Sequence, residues 1–175
     1  MDKPLYYLVV ATTIDGFIAR APGQISTDWT SKEDKEHLHK MEDEADVLLL
    51  ASKSYDLAKE RLRNFNSIVL TRKVDGIKEE NKLLTYINPE KADLDEYVRK
   101  KSYRKVCVLG GRVAYNFVLE KDLLDEIYLT IEPVVFGGGI GFFNKEIPLK
   151  HFDLVSSEQI NDKGSLLLHY RRKNK

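Results

Sequence analysis

The sequence holds a single cysteine, Cys107, so no disulfide framework and no cysteine-built zinc site can form within one chain. Cys107 lies inside an apolar run, where a thiol behaves as a small buried side chain. Neither sign of charge is in excess, since 28 Lys and Arg balance 28 Asp and Glu. That balance speaks against a nucleic-acid-binding face or a membrane-surface protein. No apolar stretch approaches the length that spans a bilayer, and no charged, apolar and small-residue series of a signal peptide opens the chain. The expectation is a cytoplasmic protein with no nucleic-acid or membrane partner. Repeats, low-complexity segments and linkers are also lacking. The 175 residues, 42% hydrophobic and 32% charged, predict one domain over 1–175 with a substantial core.

What is present is an alternation of short apolar runs with helical patterns. Leu5–Thr12, Asp46–Ala51, Asn66–Thr71 and Val106–Leu109 read as strands buried on both faces, with Leu83–Ile87 as another. Thr30 and Ser31 precede Glu33 and Asp34 by three residues each, the capping-box spacing, and predict a helix to about Ala45. Its Leu38, Met41 and Ala45 share one face with Asp34. A short helical segment follows Ser52–Ser54. Asp93 with Glu96 caps a further helix whose inner face is Leu94, Tyr97 and Val98. Beyond Gly110-Gly111 a helix is predicted with Val113, Ala114, Phe117 and Val118 as its apolar face. Leu124–Phe136 and Phe152–Tyr170 read instead as three strands, with alternation at Ile127, Leu129 and Ile131 and a turn at Asp162–Gly164. The pattern predicts an α/β three-layer domain with a mixed sheet and an antiparallel ending.

In such sheets ligands bind at the carboxyl ends of the strands. Four strand exits carry suitable residues: Thr12 to Gly16, Ser52 to Ser54, Thr71-Arg72, and Leu109-Gly110-Gly111-Arg112. A strand running through two glycines into a helix N-terminus is a device for holding phosphate, because the backbone approaches closely and unpaired amides face the anion. Gly-Gly alone more often marks a plain tight turn; four exits together point to a groove. Lys53 and, more so, Arg72 are candidate phosphate ligands. Asp34 has two readings, as a helix cap that favours the dipole and as a carboxylate beside a pocket that holds a ring amine or relays a proton. Asp15-Gly16 fits an Asx turn. Gly137–Gly139 reads as a bulge, a flexible turn or a loop shaping a pocket. His37, His39, His151 and His169 have no partners at metal-ligand spacing, so no metal is expected.

Taken in order, several segments resemble the dihydrofolate-reductase-like family. They are Ile14-Asp-Gly-Phe-Ile-Ala, Asp28-Trp-Thr-Ser, Ala45-Asp-Val-Leu-Leu-Leu-Ala-Ser-Lys-Ser-Tyr, Val69-Leu-Thr-Arg, Val108-Leu-Gly-Gly, and Asp125 through Gly139. The resemblance is closest to the reductase domain of riboflavin biosynthesis, the C-terminal half of bifunctional deaminase-reductases, in a stand-alone form. It implies a three-layer fold with a central, mixed, mostly parallel sheet, an antiparallel C-terminal hairpin and flanking helices. It also implies an NADPH-dependent reductase, usually a homodimer, that transfers a hydride to a pyrimidine- or pteridine-like small molecule.

By the same resemblance, the diphosphate falls to Leu109, Gly110, Gly111 and Arg112, and the nicotinamide to Thr12, Thr13, Asp15, Gly16 and Ile18. The adenosine 2′-phosphate falls to Ser52, Lys53, Ser54, Thr71 and Arg72. Asp15, Trp29, Asp34 and Gly138 are expected on the substrate, with Asp34 and Asp15 catalytic. The five-residue step from Trp29 to Asp34 matches that from loop Trp to active-site acid in dihydrofolate reductases. Two departures stand out: Ala51 occupies a place where the family usually has Gly, and the zinc ligands of the deaminase half are absent. The first keeps a non-catalytic nucleotide-binding or sensor protein on the same fold as an alternative. A dihydrofolate-type reductase is another.

Overall fold

A computed structural model describes residues 3–173. Its first strand, β1 (Leu5–Thr13), is followed by a short β2 (Phe17–Ala19), then α1 (Lys32–Asp43), β3 (Val47–Ala51), α2 (Ser52–Leu62) and β4 (Ser67–Leu70). Next come β5 (Ile77–Glu79), β6 (Leu84–Ile87), α3 (Leu94–Lys100), β7 (Lys105–Gly110), α4 (Arg112–Glu120) and β8 (Leu124–Glu132). The chain ends with β9 (Ile140–Gly141), β10 (Phe152–Gln159) and β11 (Leu166–Arg172). Nine strands form one sheet in the order β10-β11-β8-β1-β7-β3-β4-β6-β5, and β2 pairs with β9 apart from it. The six strands from β8 to β6 run parallel, while β11, β10 and β5 are antiparallel to their neighbours.

The apolar runs form the central strands because both of their faces are covered. Tyr6, Leu8, Val47, Leu49, Ile68, Val106 and Val108 pack on one side against Leu94, Tyr97 and Val98 of α3 and Ala114 and Val118 of α4. Tyr7, Val9, Leu48, Leu50 and Cys107 pack on the other against Met41 of α1 and Leu62 of α2. The result is three layers, a mixed, mostly parallel sheet between helices, with the antiparallel β10–β11 hairpin at one edge. Cys107 is fully buried, and burial pushes its thiol well above the usual range. No described helix is long and apolar enough to cross a membrane.

The structure corrects the sequence reading in four places. The strand from Leu124 ends at Glu132 rather than Phe136, because the Val134 amide turns back to the Glu132 carbonyl at 2.8 Å. β5, at the far edge and exposed along its length, carries too little apolar pattern to be seen. Val113 is 64% exposed, and the buried face of α4 turns instead on Ala114, Tyr115, Val118 and Leu119. The polar side of β8 is as buried as its apolar side: Glu126, Thr130 and Glu132 are each under 8% exposed. Glu126 is bonded by His169 and Arg171 of β11 and Glu132 by the amide and hydroxyl of Ser31 at the start of α1, so the alternation at Ile127, Leu129 and Ile131 shows only half of that strand. Leu49, with no exposed surface in the middle of the sheet, gives a direct measure of the core. Leu49→Ala is expected to lower unfolding stability by about 2–5 kcal/mol in urea titration, with the fold retained.

Candidate active site

Parallel pairing of β3 with β7 sets the helices that follow them, α2 and α4, side by side at the carboxyl edge of the sheet. Ala51 is the N-cap of α2 and Gly111 the N-cap of α4, and neither supplies a side-chain bond to the first turn. By contrast, Ser31 caps α1 and Asp93 caps α3 through their side chains. The orphan amides of α2 and α4 therefore face one spot with both dipoles aimed at it, which favours an anion. Register slips between Leu49 and Leu50, where β7 fits one extra residue, and Leu109 sits at that irregularity. Gly110 has φ +130°, open only to glycine, and the Gly110–Gly111 peptide is cis. A Cβ on Gly111 would lie 2.6 Å from the Ser54 Oγ, so the two N-termini are in direct contact. Ala51 takes φ −80° and ψ 152°, an extended conformation that needs no glycine.

This spot opens into a cleft of about 1580 Å³ along the carboxyl ends of the strands. A single drug-sized ligand fills roughly 300–1,000 Å³, so the cleft has room for a dinucleotide and a second molecule. Of the residues singled out from the sequence, Ile18, Asp34, Ser52, Lys53, Ser54, Thr71, Arg72, Leu109, Gly110, Gly111 and Arg112 line it. Arg72 stands exposed at the β4 exit, 3.9 Å from the equally exposed Glu90. The loop Ala21–Thr27 forms a wall that the sequence showed as a loop without saying what it faces. Val113 and Asn116 of α4 also line it. A smaller cavity of about 220 Å³ lies at the opposite, amino end of β3, β4 and β6. There Tyr97 bonds Thr85 and Glu79, and Lys101 pairs with Glu79, so those groups satisfy one another.

Thr12, Thr13, Asp15, Gly16, Trp29 and Gly138 lie outside the lining; the two threonines end β1 and the others stand between the regular elements. Asp15 is the latch. Its carboxylate accepts from the Thr13 Oγ1 at 2.6 Å, the Phe136 amide at 3.2 Å and the Gly137 amide at 2.8 Å. These bonds, the Thr13 hydroxyl foremost, hold Asp15 below the usual carboxylate range. An acid tied in this way joins the β1 exit to the glycine loop. Gly139, at φ +148°, meets Ala19 so closely that a Cβ would come within 2.3 Å of its carbonyl oxygen. Trp29 packs edge-on against Phe136 at 5.0 Å, and its buried Nε1 has no hydrogen-bond partner among the described residues.

Asp34 is different. Ser31 Oγ accepts from the Asp34 amide at 3.2 Å, which is half of a capping box. The return bond does not come from Asp34, because the Ser31 amide donates to Glu132 at 2.8 Å. Glu132 also accepts from Ser31 Oγ at 2.7 Å and Ser165 Oγ at 2.5 Å, tying α1 to β8 and β11. The Asp34 side chain is thereby left free of capping and faces the cleft while only 5% exposed. Burial raises its pKa, the Glu132 charge adds to the rise, and the Thr130 and Thr30 hydroxyls oppose it. A folded-state pKa above the unfolded one means that ionised Asp34 opposes folding as pH rises past it. Asp34→Asn should therefore raise the melting temperature at pH 7. The gain should vanish below about pH 4, where the acid is protonated in both states. Melting curves of the two proteins across pH 3–8 check this.

A family model described as the RibD C-terminal domain matches residues 58–165. The chain is 25% identical over 173 residues to the uncharacterized protein YwjB of Bacillus subtilis (strain 168), covering 94% of this chain and 96% of that one. Its fold superposes on a pyrimidine reductase-like protein from Corynebacterium diphtheriae with a TM-score of 0.73 at 11% identity, over 98% of this chain and 93% of that one. It also superposes on a diaminohydroxyphosphoribosylaminopyrimidine deaminase/5-amino-6-(5-phosphoribosylamino)uracil reductase from Thermotoga maritima. There the TM-score is 0.71 at 20% identity, over 98% of this chain and 57% of that larger protein. With more than half of its length matched, on a sheet whose parallel strands open into one cleft, the chain belongs to the RibD C-terminal domain family.

Proposed function

We propose that the protein is an NADPH-dependent reductase that adds a hydride to a pyrimidine- or pteridine-like small molecule. The observation that carries the reading is the pair of uncapped helix N-termini meeting at Gly110-Gly111, in the same cleft as the buried acid Asp34. The residues fit the cofactor. A diphosphate placed at the glycine turn meets the first-turn amides of α2 and α4, the Ser54 hydroxyl and Arg112. The 2′-phosphate is assigned to Thr71 and Arg72, whose loose contact with Glu90 leaves the guanidinium free to turn. The nicotinamide end is assigned to Ile18 and to Val9, Val10 and Ala11 of β1, which line the cleft short of the strand exit. The extended backbone of Ala51 meets the requirement of the helix start, so this departure from the family pattern does not argue for a non-catalytic protein.

When bound, NADPH supplies the hydride, and the protein supplies position and the proton. The reaction assigned is reduction of a C=N bond, in which carbon takes the hydride and nitrogen takes a proton. Asp34 is the group to hold that proton or to bind the ring nitrogen, since burial keeps its acid form available closer to neutral pH than an exposed Asp. Asp15 stays ionised and keeps the β1 exit and glycine loop in place.

Two outcomes test the reading. NADPH is expected to quench the fluorescence of Trp29, the one tryptophan, in a saturable titration. Gly111→Val should weaken that binding at least ~tenfold, because a side chain there collides with Ser54; an unchanged affinity removes the phosphate cradle. NADPH oxidation is then followed with dihydrofolate and with 5-amino-6-(ribosylamino)uracil. Asp34→Asn should cut kcat by about 100-fold and leave NADPH affinity within about twofold, as loss of a proton donor requires.

A further inference from the structure

Away from the phosphate end, the cleft holds a charged pair that the reductase reading does not use. α1 turns Asp34, Leu38 and Glu42 toward the cleft, at positions i, i+4 and i+8 of one face. Glu42 is 1% exposed, and its Oε2 accepts a hydrogen bond from Arg61 Nη1 on α2. The other oxygen, Oε1, is buried with no partner among the described residues, yet the residue forms part of the cleft wall. A buried carboxylate oxygen without a donor carries a desolvation cost that a ligand N–H or O–H can remove. Arg61, the cation beside it, is already bound to Glu42. The other cations of the lining lie away from this pair: Lys53, Arg72, Lys73 and Arg112 stand at the strand exits, Lys121 just past α4 and Lys145 in the loop after β9.

We propose that Glu42, held by Arg61, is a specificity-determining residue on the α1–α2 wall of the cleft. Its Oε1 takes a neutral N–H or O–H donor of the substrate, and the neutralised pair offers no free cation to a phosphate. This rests on the reductase reading and narrows the substrate. Eight residues of helix separate Asp34 from Glu42, a span of about 12 Å. A heteroaromatic ring at Asp34 that carries a hydroxylated or amino-bearing tail reaches Glu42. A phosphorylated tail of the same length places its charge against a carboxylate whose only cation is committed. The class expected is therefore an unphosphorylated, polyhydroxylated or amino-substituted heterocycle.

The test is calorimetry on the full chain with NADP⁺ present, using 5-amino-6-(ribosylamino)uracil and its 5′-phosphate. The wild type should bind the unphosphorylated compound at least as tightly as the phosphorylated one. In Glu42→Gln, Arg61 loses its carboxylate and is free to take phosphate. The affinity ratio should then shift at least ~tenfold toward the phosphorylated compound. The double variant Glu42→Leu/Arg61→Met removes the pair at similar volume, which proteins tolerate well. It should lose ~tenfold or more for the unphosphorylated compound and gain nothing for phosphate. A wild type that prefers the phosphate tenfold or binds neither compound, or an unshifted ratio in Glu42→Gln, overturns the proposal. NADPH oxidation is read in parallel. Binding with the expected preference but no oxidation removes the reductase reading and supports the Glu42 assignment on its own.

Discussion

Parallel pairing of β3 with β7 is the constraint on which the site depends. Parallel neighbours end at the same edge of the sheet, so the helices that leave them start at the same place. Here both starts lack a side-chain cap, and the amides left over point at one small volume beside Gly110-Gly111. A helix beginning with an unsatisfied first turn is less stable than a capped one, by about 1 kcal/mol each. Two such ends in contact at Gly111 and Ser54 concentrate that cost where a bound anion can offset it. α1 and α3, by contrast, are closed by their own side-chain caps, Ser31 and Asp93.

The second constraint is the junction built on Glu132. One buried carboxylate gathers the Ser31 amide, the Ser31 hydroxyl and the Ser165 hydroxyl, and so fixes α1 against β8 and β11. It also takes over the bond that Asp34 would otherwise return to Ser31. A cap therefore becomes a free acid facing the cleft, with its ionised form opposed by burial and by the Glu132 charge. The proposed role of Asp34 rests on this exchange, in which a group is held in a state that folding alone would avoid. Asp15 lies at the other extreme. Its three acceptor bonds spend the carboxylate on joining two loops, and the β2–β9 pairing next to it depends on Gly139 approaching Ala19 without a Cβ.

The central strands, the starts of α1 and α3 and the four polar strand exits follow from local rules. Aliphatic runs of five or six residues bury both faces, and Ser31 and Asp93 cap wherever an amide lies three residues on. The order of the motifs was enough to reach the family. Hidden were features whose cause is non-local. Glu126, Thr130 and Glu132 look like a solvent face of β8 until β11 and α1 cover them. Val113 fits the apolar periodicity of α4 but lies at the helix mouth, where the sheet no longer covers it. Gly137–Gly139 carried several readings, and only the contact with Ala19 and the bonds to Asp15 decide among them.

The sequence by itself determined the α/β layering and the place of the cleft, because periodicity, capping and glycine placement act over a few residues. It also supplied much of the inventory of the cleft: glycines and hydroxyls at one end and one carboxylate, Asp34, on the inner face of α1; Glu42 came to light only in the structure. Only the tertiary structure decided what each carboxylate does. Asp15, Asp34 and Glu42 have similar intrinsic chemistry, yet one is bound by backbone amides, one is buried and uncapped, and one is paired with Arg61 and half satisfied. Beside local contacts such as Thr13 on Asp15, those differences come from burial and from partners as far as 19 to 122 residues away in the chain, and a carboxylate's protonation and bonding are set by such surroundings rather than by its own sequence.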